Sequence, residues 1–286
     1  MAQIGVQGMM LRERIEAHGV YKTLEDITDL GYHSIEMSQV PMSPENVAEM
    51  KRAKDELGMR FAALSAALEP MGGVVMESLT TDYDKIVADA RLLDSKILRI
   101  GMLPFPAMAN RDELVRYVGI MAEFARRLAD DGLSLTFHNH HVEFAKFDGV
   151  RMIDIIRQSA PSLRFEVDIH WVHRSGVNPV EFLEDYRGVV DLIHLKDYRV
   201  GPFPQEALAL LQAGKREEFY AAFTGIIQFA EVGEGNLNFT AIIEKALETG
   251  VEHLLVEQDD LYGRDALDCL ITSRDHLYKL GYANLF

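Results

Sequence analysis

The chain has 286 residues, 48% hydrophobic and 26% charged, which is ample material for a core and excludes disordered and fibrous classes. Its 29 Lys and Arg stand against 45 Asp and Glu, and the net charge of −16 repels phosphate backbones and anionic membranes, so duplex nucleic acid is not an expected partner. A single cysteine, Cys269, rules out an internal disulfide framework and a cysteine-based zinc cluster. Its setting, DALDCLITS, reads as a buried helical thiol. No segment approaches the roughly 18 apolar residues of a membrane span, and MAQIGVQGMM lacks the pattern of a secretion signal. The expectation is a cytoplasmic protein with no membrane partner.

In chain order, the strand candidates are Gln3–Gln7, Ser34–Met37, Arg60–Leu64, Ile97–Gly101, Leu133–His138, Leu163–Asp168, Leu192–Leu195 and Leu254–Glu257. Amphipathic helical stretches lie between them. The clearest runs from about Arg111 to Asp131, with Leu114, Val118, Met121, Ala125 and Leu128 on one stripe. Another covers about Arg264 to Leu280. Gly31, Gly58, Gly132 and Gly250 mark helix ends ahead of strands. Strands separated by helices pair in parallel, and eight such units without a glycine-rich dinucleotide fingerprint favour an α/β fold of the closed (β/α)₈ barrel type. No composition break divides the chain, so residues 1–286 read as a single domain. The stretch 200–229 departs from the regular unit and reads as a helical insertion, either a cover for the C-terminal face or a surface decoration.

Five of the ten histidines lie between His138 and His173, and His194 ends the next strand. Alternation puts Thr136 and His138 on one face of their strand, Glu166, Asp168 and His170 on one face of the next, and His194 with Lys196 on the same parity of the third. Glu257 falls between apolar neighbours in the last strand. Four consecutive strands thus carry a ligand-capable side chain at or near the C-terminal end, where barrel enzymes build their sites. Carboxylates and imidazoles converging there suit a divalent cation, and two carboxylates confined without one would be costly. A lone strand-end histidine is usually a core hydrogen-bonder and a lone acid usually a helix cap, but four in register favour a metal site. The pair Met9–Met10 reads as packing.

The motifs LTFHNHHVEF, FEVDIHWVHRSGVNPVEFL, LIHLKDY, EVGEGNLNF and LLVEQDD, in that order, resemble the xylose isomerase-like barrel superfamily of sugar phosphate isomerases and epimerases over essentially the whole chain. The resemblance implies one divalent metal, most often Mn²⁺ (with Co²⁺, Mg²⁺ or Zn²⁺ as alternatives), and carries its second, third and fourth ligands onto Asp168, His194 and Glu257. The first ligand departs from the pattern. Where epimerase members end strand five with Glu, this chain has His138. Either Glu143 reaches back over the strand end, or His138 or His140 substitutes. Oxygen-donor chemistry favours Glu143 and strand parity favours His138; Glu143 is taken as the expected ligand. A histidine-rich strand five is similar to the inosose dehydratase branch and to relatives acting on 3-keto sugars and glycosides.

The resulting expectation is a metal-dependent enzyme on a keto-sugar or cyclitol, abstracting a proton beside a metal-polarised carbonyl and favouring elimination, with isomerisation or epimerisation as the alternative. His140 or His138 would act as base or acid, with Glu257 and Lys196 assisting. Lys196, His170, Trp171 and Glu36 would contact substrate, Glu36 reading equally well as half of an interior salt bridge. A DNA-repair role on the same barrel would need a positive groove, and a non-catalytic sugar-binding protein would not need the ligand set. The expected partner is a small carbohydrate. Barrels of this kind commonly pair, so a homo-oligomer is compatible with the sequence.

Overall fold

The computed structural model describes residues 2–70 and 76–286. Eight parallel strands close into a barrel: β1 (Gln3–Gln7), β2 (Ser34–Met37), β3 (Arg60–Ser65), β4 (Ile97–Ile100), β5 (Ser134–His138), β6 (Arg164–Asp168), β7 (Val190–Leu195) and β8 (His253–Val256). Each strand pairs with its sequence neighbour, and β8 returns to β1, where Gln3 pairs with His253 and Val6 with Val256. The eight strands are those read from the sequence, with ends differing by up to two residues.

Alternation decides which side chains face in. Leu135, Phe137, Phe165, Val167, Ile193, Leu195, Leu254 and Val256 belong to the main apolar core, packed with residues of the surrounding helices. The opposite parity fills the cylinder. At its lower end Ala62, Ala63, Ile97, Leu192 and Leu255 form a separate small apolar cluster. One step up the same strands come Arg99 on β4, Glu166 on β6 and His194 on β7, with Glu36 from β2, all buried. Above them lie His138, Asp168, Lys196 and Glu257. The interior is an apolar plug below and charge above.

The helix expected over 111–131 is observed as Arg111–Asp130, opened by Asn110, whose side chain accepts from the backbone N–H groups of Asp112 and Glu113. The last helix spans Ala266–Lys279 and buries Cys269 completely; burial pushes that thiol up to about 12, consistent with a structural role.

The stretch 200–229 does carry two helices, Ala207–Gln212 and Arg216–Thr224, but they sit on an antiparallel ribbon of Asp197–Val200 and Ile227–Ala230. Its base is fixed by Asp197, which accepts from the backbone N–H groups of Gly233 (3.1 Å), Gly235 (3.0 Å), Asn236 (3.1 Å) and Leu237 (3.2 Å). The segment EVGEGNLNF is therefore wrapped around one buried carboxylate. Gly235 is required there: a Cβ would lie 2.3 Å from both Asp197 Oδ1 and the Tyr198 carbonyl. Gly119, exposed on helix 111–130, has nothing within 4 Å of such a Cβ. Chemical denaturation should thus show Gly235→Ala destabilising by about 1–3 kcal/mol through overpacking, and Gly119→Ala stabilising by roughly 0.5–1 kcal/mol through helix propensity.

Candidate active site

The C-terminal ends of β5 to β8 bring His138, Asp168, His194 and Glu257 together, each able to offer a ligand atom within 4.8 Å of the others. The individual separations are 3.6 Å from His138 Nε2 to Asp168 Oδ2, 3.9 Å from His194 Nδ1 to Asp168 Oδ2, and 2.8 Å from His194 Nδ1 to Glu257 Oε2. Donors bound at about 2.0–2.2 Å to one cation lie at about such spacings from each other. His138 Nε2 is buried without a hydrogen-bond partner, while Glu257 Oε2 stands 2.8 Å from both His194 Nδ1 and the Lys196 ammonium. Buried polar atoms are normally satisfied, so an unpartnered imidazole nitrogen facing a second imidazole and two carboxylates fits a cation. The donor set of two imidazole nitrogens and two carboxylates suits a divalent ion of the Mn²⁺ to Zn²⁺ series.

Each of the four is held from behind. Asp168 ends β6 and caps the following helix, its Oδ1 accepting from the Trp171 N–H at 3.1 Å while Oδ2 faces the cluster. Asn139 fixes the same turn, accepting from the Asp168 N–H at 3.2 Å. His138 Nδ1 lies 3.3 Å from the Gly101 carbonyl, leaving Nε2 for the cluster. His194 turns its second nitrogen downward, 3.1 Å from both Glu36 Oε2 and Glu166 Oε1. Arg99 stands beside these two carboxylates, its Nε 3.1 Å from Glu36 and in contact with Glu166, and it reaches the cavity wall next to Ser38 and Ser65. Arg99 already supplies the cation that this lower group needs.

Burial and the neighbouring Glu166 push Glu36 up to about 8, whereas His194 and Arg99 hold Glu166 well below the carboxylate range despite its burial. The pair therefore shares one proton at neutral pH. Burial alone would lower His194, but Glu166, Glu257 and Glu36 raise it well above its ordinary value. Burial and Arg99 push His138 down to about 4, and burial and His138 push His140 down to about 3, so both rings are neutral. Lys196 is buried yet stays charged, its ammonium 2.9 Å from Asp168, 2.8 Å from Glu257 and 2.8 Å from Asp259. Burial pushes Asp259 up to about 6 against the pull of Lys196.

Beside the cluster lies a cavity of about 1090 Å³, whose wall includes His138, His140, Lys196, Glu257 and Asp259. Several residues singled out from the sequence lie elsewhere. Glu143 is not in the cluster: it sits in a short turn, Val142–Phe144, with Oε2 accepting from the His140 N–H at 2.7 Å. That turn aims its carboxylate at its own loop rather than back over the strand end, and the residue that stands with Asp168, His194 and Glu257 is His138. Glu36 does not reach the cavity and is the interior ion pair. His170 stacks on Phe229 and meets Trp171 edge-on, and Trp171 stands behind Lys196, with the ammonium 5.3 Å from its ring; neither lines the cavity. Arg99, Glu166, Asn139 and Asp259 were not identified as site residues. Arg99 interrupts the apolar strand ILRI and Asp259 repeats the parity of Glu257, so the alternation that found the others carried both signals.

A model of a family described as xylose isomerase-like TIM barrel matches residues 24–272. Among solved structures, a sugar phosphate isomerase/epimerase from Parabacteroides distasonis is 18% identical, with a TM-score of 0.72 over 99% of this chain and 96% of that one. A probable 3-DHS dehydratase, AsbF, from Bacillus anthracis is 15% identical, with a TM-score of 0.67 over 97% and 99%. The 3-keto-D-glucoside 4-epimerase YcjR from E. coli is 14% identical, with a TM-score of 0.63 over 98% and 99%. At these identities the likeness is one of fold. No curated protein matches the chain in sequence.

Two substitutions separate His138 from Glu143 as a cation ligand. His138→Ala is expected to weaken Mn²⁺ binding in calorimetric titration by at least about 10–100-fold, the loss typical even of residues that only support a ligand. Glu143→Gln should leave that affinity unchanged. Burial raises Glu143 to about 7, so its ionisation opposes folding: its contribution is harmless below the unfolded carboxylate range and costs stability as pH rises toward 7. Glu143→Gln should therefore stabilise the protein at pH 8, by up to the order of 3 kcal/mol, and not at pH 4.

Proposed function

The chain belongs to the xylose isomerase-like TIM barrel family, and on that footing we propose that it is a divalent-metal-dependent enzyme acting on a keto-sugar, keto-glycoside or cyclitol by removing a proton beside a carbonyl, with elimination as the outcome. The observation that carries this reading is the convergence of His138, Asp168, His194 and Glu257, with His138 Nε2 buried and unpartnered, beside a cavity that His138 and Glu257 line. These four residues would hold the ion, Mn²⁺ first, with Co²⁺, Zn²⁺ or Mg²⁺ as alternatives. When bound, the cation supplies Lewis acidity toward a substrate carbonyl oxygen.

The remaining chemistry belongs to the chain. His140 lines the cavity with Nδ1 buried and unpartnered, and its neutral ring is in the proton-accepting form across the physiological range. It takes the proton from the carbon beside the carbonyl; the electron pair left behind forms the new double bond and expels the oxygen substituent on the next carbon. Because its environment disfavours the charged ring, the imidazolium so formed is a strong acid and returns the proton to the departing oxygen. Lys196 remains an ammonium and serves as an electrophilic contact for substrate oxygens, with Asp259 fixing its position. A substrate so described is a small carbohydrate, in keeping with the acidic surface.

The second reading, isomerisation or epimerisation, is favoured by Asp259: it puts another group able to exchange protons near neutral pH on the same cavity wall. The reaction in D₂O separates the two, because epimerisation retains every heavy atom and gains deuterium whereas elimination releases water or an alcohol.

Chelation is expected to abolish turnover and added Mn²⁺ or Co²⁺ to restore it. His140→Ala should lower kcat by about 10²–10⁴-fold with cation content unchanged by elemental analysis. Full turnover after exhaustive removal of cations would refute the proposal.

A further inference from the structure

The cavity has two unlike sides. The polar groups named above come from β5 to β8, while the opposite half, built from the ends of β1 to β4 and the loops that follow them, combines a group of methionines with the charged Arg12, Glu77, Asp82, Lys85 and Arg99. Met9 follows β1; Met37, Val40 and Met42 lie at the end of β2 and in its loop; Met76 follows β3 and Met102 follows β4. Five of the chain's 13 methionines thus stand on one wall of one cavity. Val40 and Met37 are buried, while Met9, Met42, Met76 and Met102 are half-buried. Met37 and Val40 also belong to the main core and Met42 packs against it, so the wall is the core's edge turned to the cavity; Met9, beside the fully core Met10, faces the cavity as well.

A volume of about 1090 Å³ lies just above the range of roughly 300–1,000 Å³ usual for small-molecule clefts. A single monosaccharide fills only a fraction of it, and a ring covered in hydroxyls gains little from thioethers. Methionine is unbranched, polarisable and tolerant of differently shaped apolar partners, aromatic rings above all. We infer that this half of the cavity is an aglycone lobe: the substrate is a glycoside whose sugar lies against His140, Lys196 and Glu257 and whose apolar, preferentially aromatic, aglycone lies on Met9, Met42, Met76 and Met102. The inference rests on the reading of the polar half as a carbohydrate site and narrows it to glycosides. The methionines accept a range of aglycones, so the lobe selects for apolar surface and not for one shape. Where the sugar carries a carbonyl two carbons from the anomeric centre, the aglycone is also the leaving group of the elimination: the C–H bond between the two breaks, its electron pair forms the double bond to the anomeric carbon, and the aglycone departs as an alcohol or phenol with the proton returned by His140.

The test uses the full chain and two simple probes, phenyl and methyl β-D-glucoside, titrated into Mn²⁺-loaded protein and into protein freed of cations. The phenyl compound should bind at least about tenfold more tightly than the methyl compound, 1.4 kcal/mol, in both preparations, because the methionine wall does not depend on the cation. Met42→Asn with Met102→Asn, both at half-buried positions, should collapse that ratio toward one. Equal affinities for the two glucosides, or a preference that survives the double substitution, would overturn the aglycone lobe. Turnover indifferent to chelation, with the phenyl preference intact, would instead sink the metal-dependent reading and leave the lobe standing.

Discussion

The interior of this barrel depends on the two-sided use of one imidazole. His194 faces Glu36 and Glu166 through Nε2 and Glu257 and Asp168 through Nδ1. Four buried carboxylates therefore meet around a single ring, an arrangement that would be prohibitive without counter-charge. On one side of the ring the counter-charge is Arg99, together with the proton that Glu36 retains; on the other stand Lys196, paired with Asp168 and Glu257, and His138, whose Nε2 has no partner. The lower half carries a fixed guanidinium among its carboxylates. In the upper half His138 Nε2 is left 3.6 Å from Asp168 Oδ2 with no partner, which points to the upper end of the barrel as the place for a cation.

The same ring explains why the lower carboxylates matter although they touch no cavity. A ligating imidazole whose other nitrogen donates to a carboxylate is fixed in tautomer and orientation, and its basicity toward a cation rises. Glu36 and Glu166 are positioned for that role, and Arg99 keeps their combined charge from over-stabilising the protonated ring. The chain of support runs from β4 through β2 and β6 to β7 before it reaches the site.

How far the sequence could be read follows from what each signal encodes. Strand alternation is a backbone property, so the eight strands and their inward parity were legible, as was the grouping of Asp168, His194 and Glu257. At the end of β5 two arguments disagreed. A preference for oxygen donors pointed to Glu143 and parity pointed to His138; the geometry follows parity, because residues beyond the strand end are aimed by turn conformation, which residue type does not reveal. The ribbon of Asp197–Val200 and Ile227–Ala230 was missed for a related reason: its strands are short and partly exposed, with no buried face to impose a period. The methionine wall was beyond reach because its members come from four separate loops, and only barrel closure brings them together.

The central claim is that the upper ends of β5 to β8 hold one cation. Anomalous diffraction at the manganese edge, from crystals grown with Mn²⁺, tests it most directly. The account predicts a single peak within about 2.0–2.4 Å of His138 Nε2, Asp168 Oδ2, His194 Nδ1 and Glu257 Oε2, with Glu143 still turned to the His140 backbone. No peak at that point, or one bound by Glu143 with His138 turned away, would contradict it.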